Sequence, residues 1–72
     1  MLVLLARFAL AAQIAKRRKE LHTTQRQLAE AAHLRQGTLS RIEQAQVDPA
    51  LTTVCRLGAV LRTRLTLSEA PQ

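Results

Sequence analysis

The sequence predicts a single, mainly α-helical domain that ends in one short β-strand. Ala, Leu, Arg and Gln, which favour helices, fill most positions up to Leu61. Apolar residues recur at helical spacing in several segments, and the pattern changes to alternation only over residues 64–68. The 72 residues contain no internal repeat and no linker long enough to divide them. Residues 1–72 are therefore predicted to form one domain, with its core over residues 14–61.

The first two helices can be placed from spacing and from one capping motif. A helix is predicted over residues 4–20, with Leu10, Ile14 and Leu21 on one face and the basic run 16–19 mostly opposite. The next helix begins with a capping box, in which Thr24 and Gln27 can exchange hydrogen bonds between side chain and backbone amide. It is expected to run to about residue 32 and to bury Leu28, Ala29 and Ala32.

A three-residue turn over residues 33–35 leads to another short helix. This helix is predicted from Gln36 to Glu43, and it buries Leu39 and Ile42. Two short helices joined by three residues suggest helix-turn-helix geometry. In that arrangement the second helix enters the major groove of DNA, and the first helix crosses the backbone.

The last helix is expected to start at Asp48 and Pro49, because proline is tolerated in the first turn of a helix. Its apolar stripe consists of Leu51, Val54, Leu57 and Leu61.

The alternating segment 64–68 predicts a short strand. A lone strand needs a partner for its backbone amides and carbonyls, and an identical strand from a second copy is the simplest one. We therefore predict a homodimer joined through Leu65, Thr66 and Leu67. The alternative is a frayed chain terminus.

The charge balance indicates a polyanionic partner. Eleven Lys and Arg face five Asp and Glu, which gives a net charge of +6 and a pI near 11.5. Residues 1–43 carry eight basic and three acidic side chains, a net +5, so this part is expected to face the partner. One Phe and no Tyr or Trp exclude an aromatic platform for single strands.

Enzymatic and membrane functions have little support in the sequence. The few carboxylates are scattered, and neither a Gly-rich phosphate loop nor a Ser–His–acid set is visible. His22 and His33 lack a third ligand at suitable spacing, so no metal or other cofactor is predicted. Residues 1–12 are apolar but interrupted by Arg7 and too short to span a membrane. A membrane-surface helix led by residues 1–8 is the alternative.

The single cysteine, Cys55, excludes a disulfide framework, which fits a reducing cytoplasm. It lies beside the apolar stripe and is expected to be a buried thiol rather than a reactive one.

Four segments together carry a family resemblance: residues 14–21, 24–30 and 38–43, and Pro49 with the stripe 51–61. In this joint spacing they resemble the Xre/Cro-type helix-turn-helix family, which implies a lambda-repressor-like domain of four to five helices. The tail, with residues 51–61 followed by Leu65-Thr66-Leu67, resembles HipB-type antitoxins, whose terminal strands pair between subunits.

The resemblance implies roles for individual residues. Gln25 lies at a helix N-terminus, where the family contacts a phosphate. The full set of candidate phosphate contacts is Gln25, Arg26, Thr38 and Ser40. The candidate base-reading residues are Arg35, Gln36 and Arg41, since Gln can pair with adenine and Arg with guanine. A solvated charge is the alternative for both arginines. Arg18 and Glu43 match a structural ion pair that joins the first helix to the end of the recognition helix.

Several positions depart from the family pattern. His22 and His33 stand where glycine is usual, at helix ends that favour positive φ, so some strain is expected. Gly37 removes a side chain from the recognition helix, which weakens the helix but permits close backbone approach. Arg17 replaces an apolar residue, and its stem is expected to lie along the core edge. Because Ala50 lacks a hydroxyl, Asp48 is expected to cap the last helix.

The function that these features imply is sequence-specific repression of transcription. A homodimer would read a palindromic operator on double-stranded DNA, with its two recognition helices in major grooves about 34 Å apart. The HipB resemblance adds a HipA-type kinase toxin as a partner and a shared toxin–antitoxin operon. The alternative is a protein-interaction module that neutralises a toxin without specific DNA readout, its basic charge serving solubility.

Overall fold

The computed structural model of the chain describes residues 2–65. Within these residues the chain forms four helices and no strand: α1 (Leu2–Glu20), α2 (Gln25–Ala31), α3 (Gln36–Glu43) and α4 (Leu51–Leu61). Helix α1 packs against α3 and α4, and α2 packs against the same two helices. The mainly helical fold is therefore confirmed.

The hydrophobic core lies where the four helices meet. Its buried members come from every helix: Leu10, Ile14, Leu28, Ala29, Ala32, Leu39, Ile42, Leu57 and Leu61. All of these positions had been predicted to be apolar contacts. Leu21, by contrast, is 39% exposed, because it lies beyond the last residue of α1, where the chain turns at His22.

Helix α2 begins with the predicted capping box. The Gln27 amide donates to Thr24 Oγ1 at 3.0 Å, and the Thr24 amide donates to Gln27 Oε1 at 2.9 Å. The bounds of α3 are those predicted. These local signals set the length of the two short helices and of the turn between them.

Each of the four described helices ends in the same way. The residue that follows it, or the one after, is a non-glycine residue in the left-handed region, and the next amide bonds to the carbonyl five positions back at 2.8–3.1 Å. The four left-handed residues are His22 (φ 55°), His33 (φ 59°), Ala45 (φ 59°) and Arg62 (φ 53°). The positive φ of the two histidines agrees with the expectation of strain, whereas Ala45 and Arg62 had not been predicted. Such residues cost about 1 kcal/mol each.

The predicted start of α4 was wrong. The helix begins at Leu51, and its N-cap residue, Ala50, makes no side-chain capping bond. Asp48 does not cap it, because the Asp48 carboxylate is bound by Arg7 of α1. Leu51 is 75% exposed, so the apolar stripe is buried only from its second half onward.

Cys55 is exposed, contrary to the prediction of a buried thiol. It lies two positions before the buried Leu57, and a two-residue step turns a helix by about 200°. Its side chain therefore faces away from the core.

Arg64 and Leu65, the described part of the predicted C-terminal strand, do not form a strand. Leu65 packs against the core instead. Thr66 and Leu67 lie outside the described residues.

None of the described helices combines the length and the apolar content that crossing a membrane requires.

Candidate nucleic-acid interface

Helix α3 exposes one continuous face. Leu39 and Ile42, three positions apart, are buried and hold the helix on the body. The residues that remain exposed on it are Gln36, Gly37, Thr38 and Arg41. An amide, a hydroxyl and a guanidinium thus stand on the outer side of one short helix.

The three candidate base-reading residues belong to α3 or to its N-cap. Arg35 is the N-cap residue of α3 and makes no side-chain capping bond, Gln36 is the first residue of the helix, and Arg41 lies in its last turn. All three are exposed, and within residues 2–65 none of their side chains makes a hydrogen bond or an ion pair. Their donors are therefore accessible to an external partner.

The candidate phosphate contacts differ in exposure and in whether their side chains already have partners within the domain. Thr38 is exposed, whereas Ser40 is half-buried and its hydroxyl accepts a long bond from Gln44 Nε2 at 3.4 Å. Arg26 is exposed and lies 3.4 Å from Glu30, one turn further along α2. Gln25 is half-buried, and its Nε2 donates to Glu43 Oε1 at 3.2 Å.

The carboxylate of Glu43 joins three helices. Arg18 of α1 donates to it twice, from Nε to Oε2 at 2.8 Å and from Nη2 to Oε1 at 3.0 Å, and Gln25 of α2 adds the third donor. The side chains of Arg18 and Glu43 are only 14% and 6% exposed. A further Arg18 bond, from Nη1 to the Thr23 carbonyl at 3.0 Å, holds the chain between α1 and α2. The last residue of α3 is thereby tied to both preceding helices.

Two contacts that join α1 to α4 and to the loop before it had not been predicted. Arg17 Nε donates to the Leu61 carbonyl at 2.9 Å, at the C-terminal end of α4. The only sequence signal for this contact was the replacement of an apolar residue by arginine. The second contact joins Arg7 to Asp48, with Nη2 donating to Oδ2 at 3.0 Å. The hydrogen bond from Arg7 lowers the pKa of Asp48 below 3.8, and it raises that of Arg7.

The comparisons agree with this geometry. The helix-turn-helix family matches residues 14–67, about three quarters of the chain. No curated protein and no solved structure matches the chain significantly. The match contains α2, the turn and α3, together with α4 and the last seven residues of α1. The chain belongs to the helix-turn-helix family of DNA-binding domains, of the Xre/Cro type.

Proposed function

We propose that this chain is a sequence-specific transcriptional repressor that binds a palindromic operator as a homodimer. The observation that carries the proposal is the exposed face of α3, which offers unengaged polar side chains while its C-terminal end is locked by Glu43. Rigid placement of the reading side chains is what distinguishes base readout from general attraction to phosphates.

In this proposal the reading residues are Arg35, Gln36 and Arg41. Gln36 at the N-terminus of α3 is suited to adenine N6 and N7, and an arginine guanidinium to guanine O6 and N7. The absence of a side chain at position 37 brings the α3 backbone close to the duplex beside them.

The phosphate contacts come from the neighbouring residues Gln25, Arg26, Thr38 and Ser40. Gln25 has two roles in this arrangement. One of its amide hydrogens binds Glu43, which orients the side chain, and the second is free to donate to a phosphate. Because Glu43 is the last residue of α3, this bond couples the phosphate contact to the angle of the recognition helix.

We further propose that the chain is a HipB-like antitoxin. Its dimer would be joined through Leu65, Thr66 and Leu67, and it would bind a HipA-type kinase toxin encoded in the same operon. The resemblance of residues 51–67 to such antitoxins supports this proposal.

Binding to the gene's own promoter tests the repressor function. A labelled promoter fragment should shift with the wild-type chain, and competition with duplexes altered at single positions should define the preferred bases. Arg41→Ala should lower the preference at one position by about 1–3 kcal/mol. Arg56→Ala is the matched control, because Arg56 is an exposed arginine on α4 whose removal changes the net charge equally. Equal effects of the two substitutions, or no promoter preference at all, would refute base readout by α3.

A second candidate function is a protein-interaction module. It is favoured by an open groove of about 470 Å³ along α4, lined mainly by apolar side chains that include Leu51, Val54 and Leu65. Salt dependence separates the two functions. Affinity for DNA should fall with salt at a log–log slope of about −0.9 per neutralised phosphate, whereas an apolar contact to a toxin should be nearly insensitive.

A further inference from the structure

Two surface cavities meet at Thr63, the second residue after α4. The first is the apolar groove of about 470 Å³ along α4, which Thr63 helps to line. The second is a smaller cleft of about 210 Å³ beside α1. The residues that line this cleft together with Thr63 all belong to α1: Gln13, Lys16, Arg17 and Glu20. Because the two cavities share Thr63, one occupant can extend from the groove into the cleft.

The groove offers apolar surface that the described part of the domain leaves uncovered. Leu51 is 75% exposed, and Val54 and Leu65 are half-buried. From Leu51 to Leu61 the helix rises by about 15 Å. An extended segment of about five residues, or a helix of about ten, spans this length. Apolar side chains of such a segment would remove the exposed leucine from water, which is favourable.

The cleft has an excess of positive charge. Lys16 is exposed, and its ammonium group makes no hydrogen bond or ion pair with the residues that the structure describes. Arg17 uses Nε for the Leu61 carbonyl and has its Nη1 3.4 Å from Glu20, which leaves Nη2 for a further acceptor. Lys16 and Arg17 thus outnumber Glu20, the one carboxylate among the described lining residues.

Two further arginines stand beside the point where the cavities meet. Arg62 and Arg64 flank Thr63 in sequence, and both are exposed and unpaired within residues 2–65. Arg64 also lines the groove. The Thr63 end of the groove is therefore basic, whereas the Leu51 end is apolar. A ligand with complementary charge carries apolar side chains along its length and a carboxylate at one end.

The cleft lies away from the recognition face. Arg18 points towards Glu43, the last residue of α3. Gln13, Lys16 and Glu20 stand about 140–160° around α1 from Arg18, since successive residues of a helix are a hundred degrees apart. An occupant of the cleft therefore leaves the exposed side of α3 accessible to DNA.

We propose that the groove and the cleft together bind an amphipathic segment of another protein that carries an acidic residue at one end. Its apolar side chains lie along α4, and its carboxylate meets Lys16 and Arg17 beside Thr63. This site extends the protein-interaction candidate, on which it rests, and requires no DNA readout by α3.

A phage-displayed library of random peptides tests the site. The peptides have about 12 residues, long enough to span α4 as a helix, and they are selected on the immobilised chain. Enriched peptides are then synthesised, and their affinity is measured by fluorescence anisotropy. We expect them to combine several apolar residues with an aspartate or glutamate towards one end.

Two charge reversals on α1 separate this site from general attraction to a protein of net charge +6. Lys16→Glu should weaken binding of the selected peptides by about three- to tenfold, because it reverses one charge of the cleft. Lys19→Glu is the matched control and should have little effect. Lys19 is an exposed lysine of the same helix, and it lines neither cavity. In a peptide whose acidic residue is replaced by its amide, Lys16→Glu should lose most of its effect.

A second pair of variants tests the groove. Leu51→Ser should weaken the same peptides by about tenfold or more, because a leucine covered by the peptide is lost. Phe8→Ser changes another exposed apolar side chain, one outside both cavities, and should leave affinity nearly unchanged. Circular dichroism checks that all four variants remain folded.

Equal losses in Lys16→Glu and Lys19→Glu would overturn the site, since they would reveal only the effect of net charge. Peptides that lack an acidic residue but depend on Leu51 would refute the carboxylate contact and leave the protein-interaction candidate standing. If no peptide is enriched, both fail.

Two other occupants of this surface are outcomes of the same test. A wild-type dimer that Leu51→Ser dissociates in analytical ultracentrifugation would assign the groove to a second copy and overturn the proposal. A saturating promoter duplex should bind without displacing the peptide, and displacement would overturn the placement of the cleft away from α3.

Discussion

Arg18 and Glu43 form the most enclosed ion pair among the described residues, and they connect the first helix to the last residue of the recognition helix. The two bonds measure 2.8 and 3.0 Å, the parallel geometry that gives an Arg–carboxylate pair both strength and orientation. The exposed pair of Arg26 and Glu30, at 3.4 Å, is a natural contrast within the same domain.

Arg18→Met should destabilise the domain by about 3 kcal/mol, since it leaves the carboxylate of Glu43 partly buried without its main partner. Arg26→Met should cost less than about 0.5 kcal/mol, because both side chains of that pair are in solvent. Urea unfolding followed by circular dichroism measures both. Similar losses in the two variants would show that enclosure of the Arg18–Glu43 pair has no energetic consequence.

The ion pair of Arg7 and Asp48 should make stability depend on acid pH. Asp48 has a lowered pKa in the folded chain, so it binds fewer protons folded than unfolded. The pair therefore stabilises the fold above pH 3.8, and the stabilisation is lost as the pH falls through the lowered pKa of Asp48. The free energy of unfolding of the wild type and of Asp48→Asn should differ near pH 6, and the difference should shrink as the pH falls below the ordinary pKa of an aspartate.

A constant difference between wild type and Asp48→Asn across this pH range would contradict the assignment. Arg7→Gln should reproduce the effect of Asp48→Asn, and the double variant should lose little more than either single one.

Gly37→Ala should stabilise the domain and weaken DNA binding. No atom lies within 4 Å of the position of the added Cβ, and φ is not positive there. Replacing glycine in a helix by alanine then gains about 1 kcal/mol. Promoter affinity should nevertheless fall, because the added methyl group meets the duplex. Opposite changes in thermal midpoint and in affinity would separate the two effects, and unchanged affinity would argue against close backbone approach at this position.

Gly58→Ala should destabilise the domain by about 1 kcal/mol, although it too replaces a helical glycine. Its Cβ would lie 3.1 Å from the Thr63 carbonyl, so the chain after α4 must move, and such crowding costs more than the gain in helix propensity. Side-by-side unfolding of this variant and Gly37→Ala provides the comparison. A gain in stability equal to that of Gly37→Ala would mean that the turn after α4 adjusts freely.

Local signals in the sequence were sufficient for the centre of the domain. The capping box of Thr24 and Gln27 depends only on neighbours in the chain, and it located the start of α2 correctly. The bounds of α3 were also correct, whereas the connection between the two helices has four residues, 32–35, instead of the three predicted. The positive φ at His22 and His33 could be predicted from the family resemblance, because the family usually has glycine at these two positions. Nothing in the residue types marked Ala45 or Arg62 in the same way.

The errors arose where a distant residue decides the structure. Asp48 was expected to cap α4, but Arg7 binds it across 41 positions of sequence. Arg17 donates to the Leu61 carbonyl, which lies 44 positions away in sequence. Cys55 was expected to be buried beside the apolar stripe, but it faces away from the buried Leu57, and the stripe itself is exposed at Leu51.

The brevity of α3 has a consequence for regulation. An isolated helix shorter than about 12–15 residues is marginal in water, and α3 has eight residues. A synthetic peptide of this segment should be largely unstructured, so operator occupancy should vanish in one step with cooperative melting of the domain. A molecule that is unfolded or cleaved would then lose DNA binding completely, instead of keeping a weakened affinity.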